Sequence, residues 1–506
     1  MTDLRIDLGA VDAARGRAGA AARRVGVLAL VFALGLAACR SAGGPGGVER
    51  APEPPATTST ADAPAAKAGE PRRDAGAASL PITREAALET FDTAWTRIYT
   101  RHFDPDFGGV DWHAVRDELR PRAAEVETLA ELRAVLTDML GRLSESHFGL
   151  IPQEAADATE EIGGAGGGGG GPGDVGMDVR IVGDQVLVWR VDPDGPAAAA
   201  GVRPGWELVS IDGFSVPEAL AKAREALADI EPRLALPQIY SGVMGRVRGE
   251  PGTSVSLGFR DARDEPVERT LTRRPMPGEL TKFGNLPPLV ARLEHERVDA
   301  GDGVTAGVIR FNVWMIPIAQ EFARAIDELR DVDGVILDLR GNIGGVAGMT
   351  MGIAGHFMRE VVPLGTMRTR SGELRIVSNP QRVNSRGERV EPLDVPLAIV
   401  LDGLSFSTTE VFAGGLQAVG RARVFGETSG GQALPAIMER LPNGDVLMQA
   451  IADFTAPNGE RMEGRGVVPD ETVPLTRADL LAGRDAPVEA ALRWIREQAS
   501  EREGGS

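Results

Sequence analysis

Between Ile82 and Leu150 apolar residues return at intervals of three and four, as in Ala87, Phe91, Trp95 and Ile98, then Leu129, Leu132, Leu136, Leu140 and Leu143. That spacing lines one helical face and predicts a small helical bundle over 81–152. Pro81, Thr83 and Glu85 suit a helix that begins there. From Asp174 to about Arg274 the period falls to two: Val179-Arg-Ile-Val182, Gln185 to Val191 and Ser254 to Phe259 alternate as strands do. A small β domain is predicted over 174–275, interrupted by one helix from Pro217 to Ile230 with its proline just inside the start. Beyond Phe283 apolar strands alternate with helical stretches, as in Gly307–Val313, Ile318–Arg330 and Gly334–Arg340. This predicts an α/β core with a mainly parallel sheet over 276–482, then a last helix, Pro487 to Ala499, in the terminal segment 483–506. The expected fold class is multidomain α/β: helical bundle, β domain, α/β core.

Two stretches lack either period. Residues 40–80 are rich in Ala, Pro, Gly and Thr and hold too little apolar surface to offset the entropy of ordering, so they read as a flexible tether. Residues 153–173 include Gly163-Gly-Ala-Gly-Gly-Gly-Gly-Gly-Gly-Pro-Gly173, which formally contains G-x-G-x-x-G. No strand leads into it and no amphipathic helix leaves it, so it reads as a linker and not as a dinucleotide site.

Composition narrows the chemistry. At 506 residues the chain holds about three domains by the usual scale of roughly 150 residues each. A net charge of −18 argues against a nucleic-acid partner. Cys39 is the sole cysteine, which excludes a disulfide framework and a cysteine-ligated zinc. Arg23-Arg24 precedes the apolar run Val25–Ala38, long enough for a signal-peptide core and too short for an ordinary membrane span. Its end, Leu36-Ala-Ala-Cys39, resembles a bacterial lipoprotein signal over 1–39, although Asp3, Asp7 and Asp12 make the leading region atypical. The resemblance implies that Cys39 is lipidated, that the remainder is held at a membrane surface outside the cytoplasm, and, with Arg40 and Ser41 following, that this is the outer membrane where the cell has one.

Four motifs carry the candidate chemistry. In Ile399-Val-Leu-Asp-Gly-Leu-Ser-Phe-Ser-Thr-Thr-Glu410 a strand delivers Ser407 onto the start of a helix, a turn able to hold a nucleophile. Asp338-Leu-Arg-Gly-Asn-Ile-Gly-Gly345 ends a buried strand in two glycines, where backbone N–H groups can approach a ligand. Gly195 to Gly213 strongly resembles a bacterial PDZ domain. That implies an extended peptide added to a sheet edge, its terminal carboxylate received near Gly176, Met177, Asp178 and Val179. The last motif is Glu463-Gly-Arg-Gly-Val-Val-Pro-Asp470.

Taken along the chain from Thr83 to about Leu475, with the glycine turn before Ser407 and the Glu463 segment after it, the motifs resemble the serine peptidase family that unites C-terminal-processing (tail-specific) proteases with the tricorn core protease. The resemblance implies a ClpP/crotonase-like core, Ser407 rather than Ser405 as nucleophile, and an oxyanion held by the N–H groups of Gly344 or Gly345 and of Thr408. In C-terminal-processing members a lysine activates the serine, but the matching segment, Gly426-Glu-Thr-Ser-Gly-Gly-Gln432, ends in Gln432. The only lysines are Lys67, Lys222 and Lys282, none after the serine. A serine–lysine dyad is therefore not expected.

Of the five histidines, His102, His113, His147, His295 and His356, only His147 stands in a motif, Leu143-Ser-Glu-Ser-His-Phe-Gly-Leu150, that resembles the tricorn-type histidine segment. There a serine precedes the base, as Ser146 does, and a late glutamate completes the relay, as Glu463 would. Glu410 is expected to serve the helix dipole. The implied activity is a cell-envelope serine endopeptidase that needs no metal or cofactor and takes protein or peptide substrates, including through their C-termini. The alternative is a non-catalytic peptide- or ligand-binding scaffold on the same fold.

Overall fold

The computed structural model describes residues 80–154, 172–228, 230–282, 284–285 and 288–504. The signal segment with Cys39, nearly all of the tether and most of the glycine-rich linker lie outside them. No helix among the described residues is long and apolar enough to cross a membrane.

Three helices open the described chain: α1 (Arg84–Arg101), α2 (Trp112–Ala123) and α3 (Leu129–Gly141). Each start is capped by a short polar side chain. Thr83 accepts from the Ala86 N–H at 3.2 Å, Asp111 accepts from Ala114 at 2.9 Å, and Thr128 forms a reciprocal box with Glu131. The apolar stripe read from the sequence is the buried face: Phe91, Trp95, Ile98, Leu119, Leu132 and Leu136 share one cluster with Leu441 and Leu447, which come from far along the chain. The bundle therefore closes on the core and not only on itself. Strand β1 (Gly149–Ile151) follows at once and pairs antiparallel with a distant hairpin, Leu150 opposite Leu447.

The β module contains β2 (Met177–Val182), β3 (Gln185–Val191), β4 (Glu207–Ile211), α4 (Val216–Ala226), α5 (Pro232–Val247), β5 (Ser254–Arg260) and β6 (Pro266–Thr272). Its sheet runs β2-β3-β4-β5-β6, which leaves β2 at an edge. The single predicted helix, Pro217 to Ile230, stands as α4, and a second helix that the sequence does not predict, α5, follows it. α4 ends at Ala226 and α5 continues with Pro237 inside it, an interior proline that removes one helical hydrogen bond.

In the core, β7 (Leu293–Gly301), β8 (Val304–Phe311), α6 (Ile316–Glu328), β9 (Gly334–Asp338), β10 (Leu397–Leu401), α7 (Thr408–Ala418), β11 (Arg423–Gly426), β12 (Ala436–Arg440), β13 (Val446–Ala450), β14 (Glu471–Thr472) and α8 (Ala486–Gly504) follow in turn. The main sheet runs β7-β8-β9-β10-β11-β14, parallel throughout except for the β7–β8 pair. Strands β9 and β10 are buried along their whole length, as strands covered on both faces must be. α6 and α7 cover one face through Phe322 and Phe412. α8 covers the other, with Ala490, Ala491 and Ile495 on Ala306, Ile336 and Ala398. The hairpin β12–β13 receives β1 as a third strand, so the chain just after His147 is sewn to the core. This is the mixed α/β architecture that the alternating pattern predicts.

Candidate active site

β10 leads through residues 402–406 to Ser407, the N-cap of α7. Ser407 has φ 55° and ψ −118°, a left-handed backbone that costs a non-glycine residue on the order of 1–3 kcal/mol. Specific bonds hold it there. The Ser407 N–H points at the carbonyl of Gln432 (2.9 Å) and at Glu410 Oε2 (3.0 Å). Before it, Asp402 Oδ1 accepts from the N–H groups of Gly341 (2.8 Å) and Leu404 (3.0 Å). The Ser405 hydroxyl is committed to the Leu339 carbonyl at 2.9 Å, so of the two serines it is Ser405 that braces the turn.

The glycine turn after β9 lies directly against Ser407. A Cβ on Gly344, where φ is 87°, would fall 2.8 Å from Ser407 Cβ, and one on Gly345 would fall 2.3 Å from the Trp314 carbonyl oxygen. Only glycine fits this close approach. The Gly344 N–H donates to Asn342 Oδ1 at 3.0 Å, which turns attention to Gly345 among the two glycine amides named from the sequence.

His147 also has a positive φ, 61°, and is buried. Its Nδ1 is 2.7 Å from Ser146 Oγ, which donates to Glu463 Oε2 at 2.8 Å. Glu463 further accepts from the Ser146 N–H (3.0 Å) and the Ala433 N–H (3.0 Å), and Arg233 Nη1 stands 3.5 Å from its Oε1. Every neighbour named here is a donor, so the carboxyl is suited to act as an ionised acceptor. With the Ser146 proton directed to Glu463, Ser146 Oγ accepts from His147 Nδ1–H, and the basic lone pair resides on Nε2. Burial alone holds the His147 imidazole down at about 3, so the ring is neutral at ordinary pH. Burial also raises the Glu463 carboxyl, against which its hydrogen bonds and Arg233 act.

Residues 431–433 join the two sides. The N–H groups of Gly431 and Gln432 donate to Glu410 at 2.7 and 2.9 Å, and the next amide, Ala433, donates to Glu463. Glu410 Oε1 also accepts from Ser429 Oγ at 2.6 Å. Thus the residue expected only to favour the helix dipole is a fully buried bridge between Ser407 and the segment that touches Glu463. Burial pushes its carboxyl up to about 7, partly opposed by those donors. The other histidines have different employment. His102 stacks on Phe148, His113 meets Trp95 and Tyr99, His295 pairs with Glu328, and His356 sits against Phe322.

The chain is similar to known proteins over most of its length. The family profile described as peptidase family S41 matches residues 305–473, and that of the tricorn protease C1 domain matches 84–141. A carboxyl-terminal-processing protease of Synechocystis is 26% identical over 431 residues, covering 82% of this chain and 87% of its own. The carboxy-terminal processing protease CtpB of Bacillus subtilis is 23% identical over 309 residues, 60% of this chain and 55% of its own. Among solved structures, the photosystem II D1 C-terminal processing protease superposes with a TM-score of 0.52 at 20% identity, covering 81% of this chain and 97% of its own. The chain carries a peptidase family S41 domain over residues 305–473. It is accordingly a serine-type peptidase, and the fold is the one shared with those processing proteases.

Within this S41 peptidase the loop named for a terminal carboxylate is already engaged. The Gly176 N–H donates to Asp174 Oδ1 at 3.0 Å and the Val179 N–H to Asp178 Oδ1 at 2.9 Å, while Met177 and Asp178 pair with Val191 and Arg190 of β3. Asp178 in turn accepts from Tyr240 of α5 (2.8 Å) and Arg180 (2.8 Å). Buried Arg180 lies over Trp189 and donates to Asp402 Oδ2 at 2.7 Å, so β2 is tied to the loop before Ser407. Sequence reasoning missed Arg180, Arg233 and Asp402, because the links that matter, Arg180 to Asp402 and Arg233 to Glu463, join different modules and leave no local pattern. No group of three or more His, Cys, Asp or Glu among the described residues is placed to hold a metal ion.

Proposed function

We propose that the S41 peptidase hydrolyses peptide bonds with Ser407 as nucleophile, His147 as general base and then acid, and Ser146 and Glu463 as the relay that fixes the imidazole. The supporting observation is the continuous set His147–Ser146–Glu463, joined through Ala433 and Gln432 to the backbone of Ser407. Neutral His147 Nε2 takes the Ser407 proton as Oγ attacks the carbonyl carbon, and returns it to the leaving amine. Water then repeats the cycle on the acyl-enzyme. The amides of Gly345 and Thr408 receive the oxyanion, Gly344 being committed to Asn342. The β module presents protein substrates as a PDZ-like domain, by strand addition along the edge of β2 beside α5.

Ser407→Ala and His147→Ala are each expected to lower cleavage of an unfolded protein by on the order of 10⁴-fold or more, with unchanged thermal unfolding. A serine-reactive phosphonate should label the native chain and not the Ser407→Ala variant. Undiminished cleavage by Ser407→Ala would overturn the mechanism. Absence of phosphonate labelling and turnover in the native chain would favour the binding-scaffold alternative. We also propose lipid anchoring through Cys39 at the cell envelope, resting on the signal motif and on processing proteases of bacteria and chloroplasts as relatives. Incorporation of labelled fatty acid that persists in Cys39→Ala would dismiss it.

A further inference from the structure

The first turn of α5 touches both sides of the site. Leu236 lies against the nucleophile loop so closely that a Cβ on Gly403 would sit 2.9 Å from its Cδ2. Arg233 Nη1 donates to the Gly431 carbonyl at 2.7 Å and stands 3.5 Å from Glu463 Oε1. In return, Gln432 Nε2 donates to the Arg233 carbonyl at 3.0 Å. That carbonyl is available for a covalent reason. Its helical donor would be the N–H four residues on, and that residue is Pro237, which has none. The side chain of Gln432 takes the place of the missing helical bond.

We propose that Arg233 is a positioning residue for the reaction: from a helix of the β module it holds Glu463 and the Gly431–Gln432 segment in register, so that the relay is complete only while α5 is seated. The inference rests on the catalytic reading above. Glu463 is faced by Ser146 and His147 from the end of the bundle, by the Ala433 N–H, by the negative charge of Glu410, and by Arg233 as its positive neighbour. Removing that positive charge makes the carboxyl easier to protonate. A protonated Glu463 no longer accepts fully from Ser146, and the His147 tautomer loses its support.

The test measures kcat and KM against pH on a short fluorogenic peptide, for the full chain and for Arg233→Ala, Arg233→Lys, Glu463→Gln and Ser407→Ala. Arg233→Ala is expected to lower kcat by about 10- to 100-fold with KM within about twofold, and to move the acid limb of kcat to higher pH. Arg233→Lys, which keeps the charge, is expected to restore the position of the limb and part of the rate. A kcat for Arg233→Ala within twofold of native, with the limb unmoved, overturns the proposal. So does equal loss in the alanine and lysine variants with a matching fall in thermal stability, which would make the residue structural only. An active Ser407→Ala would instead remove the mechanism beneath it, whereas an inactive Ser407→Ala and impaired Glu463→Gln beside a native-like Arg233→Ala would remove this inference alone.

Discussion

The proposed nucleophile side of the site, around Ser407, and the proposed base side, around His147, each centre on a buried glutamate, but the two differ in reach. Glu410 bonds partners 3, 19, 21 and 22 residues away, all within one strand–turn–helix region of the core. Glu463 bonds Ser146 across 317 residues and reaches Arg233 across 230, so three modules must meet before it is satisfied. The first arrangement is set by local folding of the core. The second is set by docking, and docking is what another event can loosen. On the proposed mechanism the peptidase therefore has a nucleophile shaped within the core and a base whose orientation depends on docked neighbours.

The strongest test of this contrast in the local half is Glu410→Gln. The amide keeps an acceptor on one side only and turns its NH₂ toward groups that are themselves donors, so about 10- to 100-fold in kcat is expected to be lost. With the carboxyl at about 7, native activity is expected to rise as pH climbs through that value and the ionised form takes up its four donors. The variant should lack that inflection and keep the separate limb, set by Glu463, that Arg233→Ala displaces. Stability runs the other way: a carboxyl raised in the fold favours the protonated native state, so its contribution is greatest below the ordinary value of 4.5 and declines as pH rises from there to 7. His147 has the opposite sign, since a lowered imidazole withdraws stability as pH falls from 6.5 toward 3. An inflection that survives Glu410→Gln would show that the nucleophile side does not govern it.

An effect on stability, and on kcat at ordinary temperature only a small one, is expected from Leu150→Ala in the docked half. Leu150 is buried in the bundle cluster beside Leu447, and its loss is expected to cost about 2–5 kcal/mol. Because β1 carries the chain away from His147, catalysis should fail at a lower temperature than the far-ultraviolet circular dichroism transition of the whole molecule. Coincident loss of activity and secondary structure would break the comparison.

How much was legible follows the same division. The stripe through Phe91, Trp95 and Ile98, the strands β8 and β9, and the Ser407 turn are local patterns and stand where the sequence puts them. Counting lysines directed attention to His147, because composition survives without geometry. Helix α5 was not legible: Pro237 interrupts it, and Ala235, Met244 and Val247 form too thin a buried stripe to signal it. It happens to carry Arg233. The engagement of Gly176 and Val179 by Asp174 and Asp178, and of Gly344 by Asn342, depends on side-chain direction, which periodicity does not encode.

The separation of Ser146 from Glu463 along the chain also orders events in time. A ribosome issues the chain from its N-terminus at roughly 5–20 residues per second, so the histidine turn emerges well before either the hairpin that seats β1 or the glutamate that orients it. Ser407 too is made before Glu463. On the proposed mechanism, a copy synthesised past Gln432 but short of Glu463 thus carries a shaped serine with no complete relay, and the newborn chain is protected from its own proteolysis until nearly all of it exists.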